Sequence, residues 1–171
     1  AARLRSAHHG EAGELKVPRG QPYVLEIVAR GQLDQVELRS VPRMSPGPGQ
    51  VEIQVRATGL NFRDVLNVLD LYPGDPGPLG GECAGEVVAV GEGVTHVKPG
   101  DEVVALAPAS FSRYAITLAE FVVPKPASLS MEEAATIPIV FLSAYFALCR
   151  LGRMKAGERV LIHAASGGIG L

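Results

Sequence analysis

Arg159-Val-Leu-Ile-His-Ala-Ala-Ser-Gly-Gly-Ile-Gly170 closes the 171-residue sequence, followed by Leu171 alone. Its first part is a short apolar run, Val160, Leu161 and Ile162, which predicts a buried strand. The second part is a glycine-rich turn spaced Ala165-x-Gly167-x-x-Gly170. Small residues at that spacing let the backbone approach a pyrophosphate, and a helix following the turn would offer N–H groups to the charge. Ala165, Ser166, Gly167, Gly168, Ile169 and Gly170 are therefore candidate cofactor-binding residues. An ordinary strand-to-helix loop can carry the same glycines, so the rest of the chain has to decide between the two.

Upstream, the pattern is mostly β. Val51-Glu-Ile-Gln-Val-Arg-Ala57 alternates apolar and polar residues, which puts Val51, Ile53, Val55 and Ala57 on one expected buried face. Tyr23–Ile27, Val36–Arg39, Gly80–Val90, Glu102–Leu106, Tyr114–Thr117 and Phe121–Val123 read as further strands between Gly- and Pro-rich turns. That spacing predicts a small β-barrel or rolled sheet.

A helix interrupts the strands. Phe62, Val65, Leu66 and Leu69 fall at i, i+3, i+4 and i+7, one expected apolar stripe, with Asn61 placed as the cap and Asp64 in the first turn. The Pro- and Gly-rich run Tyr72–Pro78 ends it in a loop. After Pro124 the character changes. Ser130-Met-Glu-Glu133 is a capping-box signature, Pro138 breaks that helix, and Ile139–Arg150 predicts another, ended by Gly152.

Composition narrows the classes of function. A hydrophobic fraction of 47% with 20% charged residues is globular chemistry, and a formal net charge of -2 leaves no basic footprint for nucleic acid. No apolar run approaches the ~18 residues of a membrane span, and nothing reads as a signal peptide, so a cytoplasmic protein without membrane contact is expected. Cys83 and Cys149 are far apart and lack CxxC spacing. Cys83 reads as a small buried filler with no activating base. His8-His9, in a stretch with no period, is expected to be solvated rather than metal-bound.

Gly59-Leu-Asn-Phe-Arg-Asp-Val-Leu, Gly80-Gly-Glu-Cys-Ala-Gly, Val90-Gly-Glu-Gly-Val, Lys98-Pro-Gly-Asp and the terminal glycine turn occur in this order. Together they resemble the medium-chain dehydrogenase/reductase superfamily, and within it the enoylreductase domains of modular polyketide synthases. The resemblance runs from about Tyr23 to Leu171. It implies a mixed α and β chain: a GroES-like β-barrel domain over 21–126, then the first elements of a Rossmann α/β domain over 127–171, incomplete at Leu171. Residues 1–20 then read as a linker or the edge of a preceding domain.

The implied reaction is reduction of the α,β double bond of an enoyl thioester carried on an acyl carrier protein, with NADPH as cofactor and other polyketide synthase domains as neighbours. In zinc-dependent members of the superfamily, one ligand is a Cys and another the His of Gly-His-Glu. The matching positions here are Asn61 and Gly81, so no metal is expected. The resemblance assigns Tyr72 to proton delivery at the α-carbon, and its phenol can donate to an enolate. It places Asn61 and Ser143 beside the nicotinamide and gives Arg63 and Asp64 a part in the cofactor cleft. Asn61 as a helix cap, Ser143 bonded to its own helix, a solvated Arg63 and a dipole-favoured Asp64 remain the plainer readings. Further proton donors of relatives, a lysine and an aspartate, would fall after Leu171, so these residues alone are expected to be inactive. Two alternatives stay open: a stand-alone zinc-free quinone or enone oxidoreductase, and a non-catalytic GroES-like remnant kept for docking.

Overall fold

The computed structural model describes residues 15–170. Its centre is the strand that the alternation at 51–57 predicts. We number the strands β1 (Tyr23–Ile27), β2 (Val36–Ser40), β3 (Gln50–Thr58), β4 (Glu82–Val90), β5 (Glu102–Leu106), β6 (Tyr114–Leu118) and β7 (Val122–Pro124). The helices are α1 (Phe62–Val68), α2 (Met131–Ala135) and α3 (Pro138–Tyr145), the last running on through a π-helical stretch, Phe146–Leu151.

Five strands form one antiparallel sheet in the order β6-β3-β4-β5-β7, and β1 and β2 make a separate ribbon. Thr117 on β6 donates its hydroxyl to the Leu106 carbonyl at the end of β5 at 2.7 Å. Two strands lie between β6 and β5 in the sheet order, so this bond requires the sheet to curl. The result is a half-barrel in which β6 and β7 remain the two edges. The ribbon joins it through residues 111–113: Leu25 N–H donates to Phe111 O at 2.7 Å, and Arg113 N–H to Tyr23 O at 2.9 Å.

Side-chain alternation then makes two apolar layers. Val51, Ile53, Cys83, Val87, Val103, Ala105, Ala115 and Val122 fill the inside of the curl. Ala84 and Val104 face outward and are covered by Ala134 and Ala135 of α2. The expected capping box starts α2: Glu133 N–H donates to Ser130 Oγ at 3.1 Å, and Ser130 N–H to Glu133 Oε2 at 2.9 Å. Where β3 meets β4 there is no room for a side chain at Gly85, because a Cβ would overlap the Gln54 carbonyl oxygen.

Three expectations need correction. The alternation along β3 breaks at bulges between Glu52 and Ile53 and between Val55 and Ala57, so Val55 packs on the inner cluster and Ala57 on the outer one. The stripe expected on α1 is not its buried face: Phe62 is 74% exposed, while Asp64, Asn67 and Val68 are buried. Polar bonds to the following loop, described below, select that face. Finally, Val160–Ile162 is not a strand and lies exposed. A strand needs a hydrogen-bonding neighbour, and no strand pairs with these residues among those described. His8-His9 and most of the 1–20 segment fall outside the described residues.

Candidate functional site

The site is built where β4 begins. Strand alternation turns Glu82 to the outer face, beside Ala84 and below the helices, and its carboxylate is almost completely buried, with the residue 2% exposed. Glu82 Oε1 accepts from the Asn61 side-chain Nδ2 at 2.8 Å, and Oε2 accepts from the Ile139 backbone N–H, in the first turn of α3, at 2.7 Å. Its main-chain oxygen accepts from the Thr58 hydroxyl at 2.8 Å. A carboxylate at a helix N-terminus is favoured by the free N–H groups there. No lysine, arginine or histidine pairs with Glu82 among the described residues. Gly59 must lack a side chain, since a Cβ would overlap this carboxylate.

One turn along α1, three polar anchors hold the loop that follows. Arg63 donates to the carbonyls of Pro76 at 3.1 Å, Pro78 at 3.3 Å and Gly80 at 3.1 Å. Asp64 Oδ1 accepts from the Gly80 N–H at 2.9 Å, and its Oδ2 accepts from the Asn61 N–H at 3.0 Å. Asn67 Nδ2 donates to Gly77 O at 3.0 Å. Arg63 is thus bonded to the loop while still partly exposed, and Asp64 serves the loop as much as the helix end. Gly80, at φ +87 and packed against Ser110 and Phe111, has a conformation and a space that only glycine suits.

Two cavities flank these anchors. One of about 680 Å³ is lined by Gly59, Leu60, Asn61 and Glu82 on one side, and by Val140, Phe141, Ala144, Leu148, Ile162 and Gly168–Gly170 on the other. The second, of about 590 Å³, lies over Arg63, Pro78, Gly80 and Gly81, with Leu106, Pro108, Phe121 and Ile139 as apolar walls. The first brings together Asn61 and half of the glycine turn. Within that turn, Gly167 N–H donates to Ala164 O and Gly170 N–H to Gly167 O, both at 2.9 Å, and a Cβ on Gly170 would collide with Ala165.

The other candidates are placed apart. Ala165, Ser166 and Gly167 belong to the turn but do not line the first cavity. Ser143 faces a shallow surface depression with Leu142, Tyr145, Phe146 and Arg150, on a different side of α3 from Val140 and Ala144. Tyr72 is half-buried on the loop and lines neither cavity, although its loop contributes Pro78 and Gly80 to the second. Cys83 is fully buried, and burial, with the charge of Glu82 adding to it, pushes its thiol up to about 12. That is a packing residue and no nucleophile at neutral pH. Among the described residues, no three His, Cys, Asp or Glu side chains stand together as a metal cluster.

Glu82 was not among the residues that the sequence singled out. The available signal was a carboxylate directly after two glycines in an otherwise apolar strand, Gly80-Gly-Glu-Cys-Ala.

This geometry sits in a known class. Residues 47–127 match the alcohol dehydrogenase GroES-like domain family, and the curled half-barrel is the GroES-like N-terminal part of a medium-chain dehydrogenase/reductase. Within that class its relatives include polyketide synthases and enoyl reductases. It is 42% identical to CurK enoyl reductase with a TM-score of 0.82, covering 88% of this chain and 49% of that one. It is 45% identical over 150 residues to a phenolphthiocerol/phthiocerol polyketide synthase of Mycobacterium tuberculosis, covering 86% of this chain and 7% of that protein. The Escherichia coli quinone oxidoreductase solved with NADPH is 32% identical with a TM-score of 0.76, over 86% of this chain and 47% of that one. The chain thus spans about half the length of these solved relatives. No helix among the described residues is long and apolar enough to cross a membrane.

Proposed function

We propose that these residues form the substrate-side part of an enoylreductase that reduces the α,β double bond of an enoyl thioester held on an acyl carrier protein, working beside other polyketide synthase domains. The observation that carries this reading is the cavity in which Asn61 and Glu82 face Gly168–Gly170 across the start of α3. NADPH, when bound, supplies the hydride for the β-carbon. The residues present fit its nicotinamide end: apolar walls from Val140, Phe141, Leu148, Ile162 and Ile169, with a polar pair, Asn61 and Glu82, at one edge. The glycine turn offers small residues for a close backbone approach.

On this reading each group has a task. Asn61 presents its amide to the carboxamide edge of the cofactor. Arg63 and Asp64 shape the neighbouring cleft through the loop that they fasten. Ser143, facing away from Asn61, would take part only if α3 presented a second surface to the ligand. Tyr72 delivers a proton from its phenol oxygen to the α-carbon. The apolar walls of the second cavity suit an acyl chain and keep water from the reacting carbons.

A stand-alone quinone or enone reductase is the second reading, favoured by the fold shared with quinone oxidoreductases at 30–33% identity. The test is NADPH oxidation by the full-length protein containing these residues. Turnover of a carrier-bound enoyl thioester, with α-protonation slowed or stereochemically altered by Tyr72→Phe, supports the first reading. Turnover of quinones alone would replace it with the second, and turnover of neither would reject both.

A further inference from the structure

Glu82 combines features that a merely structural residue does not need. It is a carboxylate buried to 2% exposure, it has no cationic partner among the described residues, and it lines a cavity instead of an enclosed core. Burying a charge is costly unless its oxygens are bonded. Here both are, and both bonds run to elements of the cavity: the Asn61 amide at 2.8 Å and the first turn of α3 at 2.7 Å. We propose that Glu82 is the positioning residue of this cavity, fixing which way round the Asn61 amide faces and tying that amide to the start of α3. The proposal rests on the enoylreductase reading above, because it assumes that Asn61 meets the cofactor.

Donor and acceptor types decide the orientation. An ionised carboxylate only accepts hydrogen bonds, so the Asn61 side chain must point its NH₂ at Glu82, and its carbonyl oxygen lies on the other arm of the planar amide. A side-chain amide left to itself can turn over and exchange its two ends. Glu82 restricts that freedom, alongside the capping box with which Asn61 starts α1. The group on the far side is a backbone N–H, which can only donate, so both bonds have one permitted direction: the Ile139 N–H into Glu82, and the Asn61 amide NH₂ into Glu82. The loss of either partner would leave a buried charge under-bonded.

This direction can be reversed at nearly constant volume. In Glu82→Gln, the new side-chain carbonyl must still accept from the Ile139 N–H, which leaves its NH₂ aimed at Asn61. Two NH₂ groups cannot bond each other, so the Asn61 amide turns round and offers its oxygen. The fold keeps both hydrogen bonds, while the polar edge of the cavity is inverted. A residue with a purely structural role would show little effect on ligand binding in this variant.

The experiment measures the NADPH dissociation constant by cofactor fluorescence, together with kcat, KM and the thermal midpoint, in the full-length protein containing these residues. Glu82→Gln is expected to fold and to bind NADPH about tenfold or more weakly, the scale of one lost hydrogen bond to a buried partner. Asn61→Ala, which leaves the bond between Glu82 and Ile139 intact, is expected to weaken binding by a similar factor. In the Asn61→Ala background, Glu82→Gln is expected to add no further loss. Unchanged affinity in Glu82→Gln, or losses that multiply in the double variant, would overturn the proposal. If Glu82→Gln does not fold, Asn61→Ala decides alone, and wild-type affinity in that variant overturns it. Wild-type protein that binds no NADPH would instead reject the reading on which the proposal rests.

Discussion

Ile53 and Leu161 both belong to short stretches that read as strands. Ile53, in β3, is fully buried, whereas Leu161 is 83% exposed and in no strand. The same contrast holds between their surroundings. From β3 to β7 the sheet supplies its own partners: strands pair on both sides of β3, β4 and β5, and α2 covers the outer layer. From α3 onward, Phe141, Leu142, Tyr145, Phe146, Val160 and Ile162 are all exposed. Hydrophobicity is a property of the residue, while burial is a property of what the rest of the chain can bring against it.

That contrast can be broken by measurement. Ile53→Ala removes three carbons from the packed inner layer and is expected to cost about 2–5 kcal/mol in chemical unfolding of the 171-residue chain. A cost below about 1 kcal/mol would mean that the inner layer is loosely packed. The two cysteines test the same division by reactivity. Cys83 is buried and Cys149 exposed, so a thiol reagent should modify one cysteine in the folded chain and two after unfolding. The Cys83 thiol, pushed up to about 12 by burial, also gives a stability effect with a definite sign. Unfolded, this thiol ionises near its ordinary value of about 8.5; folded, it stays protonated. Its contribution is therefore complete below about pH 8.5 and is lost as pH rises towards 12, and Cys83→Ala should flatten the stability curve in that window. The smallest effect is expected at Phe141, 64% exposed on α3. Phe141→Ala in the same chain should change stability by about 0.5 kcal/mol or less. A loss matching that of Ile53→Ala would place a covered face where the structure has an open one.

The sheet was legible because a two-residue period is a local signal, readable without knowing which strand lies alongside. The bulges in β3 were not, since Val51–Ala57 alternates cleanly and only its pairing with β4 shows the slip. On α1 the apolar spacing pointed to the wrong face. Asp64 and Asn67 are buried because Gly80 and Gly77, well beyond the helix, supply backbone partners to their side chains. Glu82 was hidden for the same reason: a glutamate on the outward face of a strand reads as solvated until α3, 57 residues later, is set over it. Charged and amide side chains at the site were thus legible as residue types, but their partners are non-local. The glycine turn was legible by spacing, whereas the strand before it depends on a neighbour that the described residues do not provide.

The anchoring of the 72–80 loop has a mechanical consequence. By composition, Tyr72-Pro-Gly-Asp-Pro-Gly-Pro78 looks like a free hinge. Leu71 N–H, however, is bonded to Leu66 O at 2.8 Å, and the far end is gripped at Pro76, Gly77, Pro78 and Gly80. Only the arc Tyr72–Asp75 spans free between two clamps, and Asp75 itself accepts from the Gly77 N–H at 2.9 Å. Amide exchange should therefore be fast at Gly74 and slow at Gly80, within a few residues of each other. On so short a span the Tyr72 backbone has little room to shift, so the reach of its phenol is set by side-chain rotation and by the clamps. Its stroke is set by how firmly α1 holds the two clamps, so substitutions at Arg63 or Asn67 would retune it from a distance.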